Sequence, residues 1–107
     1  MNQKDEIRNR CRNRGFFKLG SPLNAIRINV GNSDAHERLK FEECLRLAKQ
    51  GHAFLTEAEF KGGRADIVDL DAGEIVEVAV SEGEESLALK TGFYPLPVRV
   101  IAEMLWR

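Results

Sequence analysis

The chain has 107 residues, 43% of them hydrophobic and 31% charged, with a formal net charge of −1. That balance describes one soluble globular domain with a modest core rather than a disordered chain. No apolar run reaches the roughly 18–20 residues of a membrane span and no signal-peptide core is present, so the expectation is a cytoplasmic protein with no membrane partner. Cys11 and Cys44 are too few for a disulfide framework and lack zinc-ligand spacing.

Residues 1–20 read as a basic N-terminal arm and 21–107 as a single α/β domain. Residues 1–18 hold Lys4, Arg8, Arg10, Arg12, Arg14 and Lys18 against Asp5 and Glu6, while the other 89 residues hold 10 basic and 15 acidic side chains. A basic arm on an acidic body suits contact with a polyanion, although a solvated terminus has the same composition. The acidic body argues against a general nucleic-acid coat. Within the arm, Ile7 and Cys11 are spaced for a short helix that Gly15 stops. In "SPLNAIRINVGNS", Ile26, Ile28 and Val30 alternate with Arg27 and Asn29, which predicts a strand or an extended segment closed by Gly31-Asn32.

The spacing predicts a helix over 34–50, with Phe41, Cys44, Leu45 and Ala48 as its buried stripe and Gly51 as its stop. Cys44 is then a buried reduced thiol. Glu37 lies one turn before Phe41 and projects from the same side. Strands follow at 52–60, 64–70 and 74–80, the last two joined as an antiparallel hairpin by Asp71-Ala72-Gly73. Residues 83–93 read as a short helix ended by Gly92, and 97–102 as a final strand whose start is set by Pro95 and Pro97. The order is helix, three strands, helix, strand. Its last connection passes through a helix and allows a parallel pairing, giving a mixed central sheet flanked by helices.

Three acids stand out against this frame. Glu37 lies on the inward side of the helix, Asp66 within the second strand and Glu77 within the third. Around a turn at 71–73, residues whose numbers sum to about 144 face each other, so Asp66 falls beside Glu77. Neighbouring carboxylates repel unless a cation lies between them, and hard oxygen ligands suit Mg²⁺ or Mn²⁺. Each acid also has a plainer reading. Glu37 fits a capping box with Asp34 as N-cap, Asp66 a solvated position paired with Arg64, and Glu77 a charge that blunts an edge strand.

The glutamate on the helix, the aspartate on a strand and "Glu77-Val78-Ala79" on its hairpin partner resemble the PD-(D/E)XK nuclease superfamily over residues 33–102. The resemblance implies a restriction endonuclease-like core and metal-dependent hydrolysis of DNA phosphodiesters. It implies Asp66, Glu77 and Glu37 as metal ligands for Mg²⁺ or Mn²⁺. Where the family pattern has a lysine two residues after the glutamate, this chain has Ala79, so Lys40 and Lys90 are the candidates to replace it. Arg64 and the arm residues Arg8, Arg10, Arg12 and Arg14 would hold flanking phosphates, and a homodimer would suit cleavage of two strands. Loss of the motif lysine also fits a nuclease-like domain that binds DNA or protein without cutting. An unrelated α/β interaction protein with solvated acids is the third reading. His36 reads as a surface residue at the helix start.

Overall fold

The computed structural model describes residues 16–18, 23–60, 63–80 and 96–102. Strand β1 spans Phe16–Lys18, helix α1 Asp34–Lys49, and strands β2, β3, β4 and β5 span Phe54–Phe60, Gly63–Asp69, Glu74–Ala79 and Val98–Ala102. They form one sheet in the order β1-β2-β3-β4-β5. The first four strands are antiparallel and β5 runs parallel to β4, as the mixed α/β expectation requires. Residues 16–18, read from sequence as part of the arm, are a strand of the sheet. The expected helix at 83–93 with Lys90, and Arg8, Arg10, Arg12 and Arg14, lie outside the described residues. Among the described residues, no helix is long and apolar enough to cross a membrane.

Local chemistry accounts for the boundaries of α1. Ser33 is the N-cap, in extended conformation, and its hydroxyl accepts from the His36 backbone N–H at 3.2 Å. The cap is therefore one residue earlier than the capping-box reading placed it, and Glu37 is not the cap's reciprocal partner. Asp34 and Glu37 in the first turn and Arg46 and Lys49 in the last complement the helix dipole. Gly51, at φ 78°, takes the left-handed conformation that ends the helix.

The helix presents a different face to the sheet than its apolar spacing predicts. His36, Lys40, Glu43, Cys44 and Leu47 are buried, whereas Phe41 is 50% and Leu45 43% exposed. Only the lower half of the buried face is apolar. There Cys44 and Leu47 pack on Phe54, Ile67 and Val76, with Ile26 and Ile101 at the margin. The upper half meets polar groups of the sheet, and a rule that buries only hydrophobes rotates the helix by about one residue. On the opposite face of the sheet, Leu55, Ala58, Ala65, Val68, Leu70 and Ile75 form a second apolar layer with Leu96. Burial of each large aliphatic side chain in these layers stabilises by roughly 1.5–3 kcal/mol.

The β3–β4 turn follows its sequence signal. The Asp69 carboxylate accepts from the backbone N–H groups of Asp71 and Ala72 at 3.1 and 3.0 Å, and Gly73 closes the turn at φ 71°. Ile67 pairs with Val76 and Val68 with Ile75, a register whose next rung opposes Asp66 to Glu77. Residues 25–29 form no ladder. They run extended past β2, held by side chains: Thr56 Oγ1 accepts from Arg27 N–H at 2.9 Å and donates to the Ala25 carbonyl at 2.9 Å.

Candidate functional site

The upper half of α1 faces a place where the sheet breaks its own alternation. Leu55 and Val68 point away from the helix, and Thr56 and Ile67 point toward it. Regular pleating would then send Glu57 and Asp66 away and Ala58 and Ala65 toward the helix. The reverse is found: Ala58 and Ala65 belong to the far layer, while the Glu57 and Asp66 carboxylates reach Lys40 and His36 of α1. Glu57 makes the switch at φ 54°, a left-handed conformation that costs a residue with a Cβ about 1 kcal/mol or more. Such strain gathers at functional sites, and here it turns a second strand acid toward the helix.

Glu37 lies at the centre of a dense network. One carboxylate oxygen accepts from Asn32 Nδ2 at 2.8 Å and His36 Nδ1 at 3.1 Å, the other from Lys40 Nζ at 2.7 Å and the Asn29 backbone N–H at 3.1 Å. Burial alone would raise its pKa, but the bonds from Lys40, Asn32, Asn29 and His36 outweigh it and hold the group at about 2. Lys40 is 0% exposed, and its ammonium also donates to the Arg27 carbonyl at 2.7 Å and lies 3.5 Å from Glu57. Glu57, 3% exposed, further accepts from Asn29 Nδ2 at 2.9 Å and lies 3.3 Å from Arg64.

His36 links this network to the strand acids. Its Nδ1 faces Glu37 and its Nε2 lies 3.4 Å from Asp66 Oδ2. The Asp66 bond raises the His36 pKa above 6.5 against the opposing effect of burial, with Glu37 adding to the rise. Burial pushes Asp66 up, but His36, a hydrogen bond with the Glu77 carboxyl and the Val78 N–H at 2.8 Å bring it below its ordinary value. Neighbouring carboxylates repel, and a proton or a cation between them relieves the repulsion.

The structure sets Glu37 and Lys40 of α1 in one network that His36 extends to Asp66, while Glu77 lies on β4 at the register position opposite Asp66. Arg64 is at its rim and pairs with Glu57 rather than Asp66. The buried Ala79 offers no donor in the lysine position. Two members escaped the sequence reading. The Ser33 cap would have turned His36 inward had it been identified, whereas a left-handed glutamate inside a strand has no residue-type signal. Asp66 and Glu77 supply the hard oxygens that suit Mg²⁺ or Mn²⁺, and water can complete such a shell. Glu37 does not fit as a third ligand in this arrangement, because all four of its lone-pair directions already receive donors. Among the described residues, no three His, Cys, Asp or Glu side chains are gathered closely enough to close a metal site unaided. Beside the network, Ile28, Arg38, Phe41 and Glu42 join Glu37 around an open cavity of about 390 Å³.

A second polar cluster lies at the other end of α1. Glu43 accepts from Arg46 and Arg99, and Arg99 also reaches Glu74 at 2.8 Å. His52 contacts Asp69 at 2.9 Å. Compared with known protein families, curated proteins and solved structures, the chain matches none.

Proposed function

We propose that the chain is a divalent-metal-dependent nuclease with a PD-(D/E)XK-like core that hydrolyses phosphodiester bonds in DNA. The observation that carries this reading is the register of β3 and β4, which sets Asp66 opposite Glu77, with Asp66 turned to His36 of α1. The order of α1, β2, β3 and β4, with β5 parallel to β4, agrees with the resemblance. Asp66 and Glu77 would hold Mg²⁺ or Mn²⁺, which supplies Lewis-acid polarisation of a phosphate oxygen and a more acidic bound water. Glu37 keeps the N-terminal half of α1 fixed over the strand acids. Arg64, exposed at the rim, would meet a phosphate, and the arm arginines would add affinity that weakens with salt.

A second reading has a specific observation in its favour. The Lys40 ammonium is held by Glu37, the Arg27 carbonyl and Glu57, and Ala79 is apolar. Neither supplies a mobile cation to an attacking water, which suits a nuclease-like module that binds DNA or protein without cutting it. Incubation with supercoiled, linear, branched and single-stranded DNA in Mg²⁺ or Mn²⁺, beside Asp66→Ala, separates the two. Cation-dependent cleavage that falls by more than about 100-fold in the variant, beyond the usual cost of an outer-shell change, is expected of the enzyme. Absence of cleavage with cation-dependent DNA binding selects the binding module. Equal cleavage by both proteins overturns the assignment of the site.

A further inference from the structure

We propose that the outward face of α1 is a self-association surface, on which a second copy of the chain lays its own α1 antiparallel across Phe41 and Leu45. The inference goes beyond the metal-dependent reading above and does not depend on it.

The helix carries an apolar stripe that the sheet does not use. Phe41, Leu45 and Ala48 recur at i, i+4 and i+7, the spacing with which one helix packs on another, and all three are exposed. Ile28, 62% exposed, adjoins Phe41 around the open cavity of about 390 Å³, and Val30 beyond it is 96% exposed. Every large apolar side chain that stands exposed among the described residues belongs to α1 or to residues 23–30, which precede it. Apolar side chains exposed singly need no explanation, but a contiguous set beside a cavity marks an interaction surface.

Charge selects the occupant. Asp34 is exposed at the start of α1 and Lys49 at its end, while the exposed Arg38 and Glu42 flank Phe41. A nucleic acid laid along this face would meet Asp34 and Glu42, and a cationic peptide would meet Arg38 and Lys49. A second α1 running the opposite way meets its complement at both ends. With the twofold axis beside Phe41 and Glu42, Asp34 faces Lys49 of the second copy and Lys49 faces its Asp34. Arg38 then comes within a turn of Glu42 across the axis, and the Phe41 and Leu45 side chains of the two copies interleave. The helix dipoles also run head to tail. Such a contact closes after two copies and is small, one helix face and the segment beside it, so a dissociation constant on the order of 10–100 µM is expected.

Sedimentation equilibrium of the full chain at low salt, without DNA or divalent cations, tests the assignment. A monomer–dimer equilibrium is expected. Phe41→Lys changes an exposed position, so the circular-dichroism spectrum should stay intact while association weakens by about 30-fold or more, as it does on loss of a central aromatic anchor. Asp34→Lys and Lys49→Asp should each weaken it about 3–10-fold, because each sets like charges against one another twice. An equimolar mixture of those two variants should dimerise about as tightly as the unmutated chain, an outcome that general stickiness of an apolar face would not produce. Amide shifts of residues 38–49 should move on dilution of the unmutated chain, a measurement that needs no variant to fold. A chain that stays monomeric up to about 1 mM, a dimer indifferent to Phe41→Lys, or a mixture no tighter than its components overturns the proposal. Shifts of 38–49 that answer to added DNA but not to dilution give the face to nucleic acid and overturn it as well.

Discussion

The two polar clusters beneath α1 are built from similar residues but are buried to different depths. At the C-terminal end, Glu43 and Glu74 face Arg46 and Arg99 in a charge-matched set, and both arginines reach water. At the N-terminal end, Glu37, Glu57 and Asp66 face the fully buried Lys40, the rim residue Arg64 and His36. The first cluster is complete and ties the helix to the sheet. The second is gathered around an ammonium that is 0% exposed and an imidazole set between two carboxylates. Burial of the cation, more than the presence of acids, separates the two clusters.

Removing the buried cation of the N-terminal cluster should have the largest effect. Lys40→Met keeps the side-chain volume but strands Glu37 and Glu57, and it should cost about 3–5 kcal/mol in urea unfolding. A loss below about 1 kcal/mol would mean that both acids relax into water and that the cluster is not tightly built.

Acid should expose the same difference more gently. The folded pKa of Glu37 is about 2 against an ordinary 4.5, so its contribution is complete above pH 4.5 and is lost as pH falls toward 2. That shift corresponds to at most about 3 kcal/mol. Unfolding free energies measured from pH 6 to pH 2.5 should decline below pH 4.5, and Glu37→Gln should flatten the decline. An unchanged slope in the variant would assign the acid sensitivity elsewhere.

Glu43→Gln should have the smallest effect. Its two arginine partners are partly solvated and can turn to water, so the expected cost is about 1 kcal/mol. Metal binding should not change. A larger loss than that of Lys40→Met would reverse the ranking of the two clusters.

Much of the frame was legible from local pattern. Val/Ile-rich runs and Asp71-Ala72-Gly73 located β3, β4 and their turn within a residue or two, and the same hairpin arithmetic placed Asp66 beside Glu77. The orientation of α1 was not legible, because its buried face carries His36, Lys40 and Glu43, and apolar spacing selects Phe41 and Leu45 instead. The backbone reversal was less legible still. It depends on a torsion at Glu57 that no residue-type preference marks, so a period of two assigns Glu57 and Asp66 to the wrong face of the sheet.

The β2–β3 ladder has three rungs joining 54–56 to 67–69 and three joining 58–60 to 63–65, with none between Glu57 and Asp66. Like a zipper with one tooth missing, the hairpin can part at its tip while its base stays closed under the helix. Amides of 58–60 and 63–65 should accordingly exchange with solvent sooner than those nearer the helix. The two acids sit at the pivot of that opening.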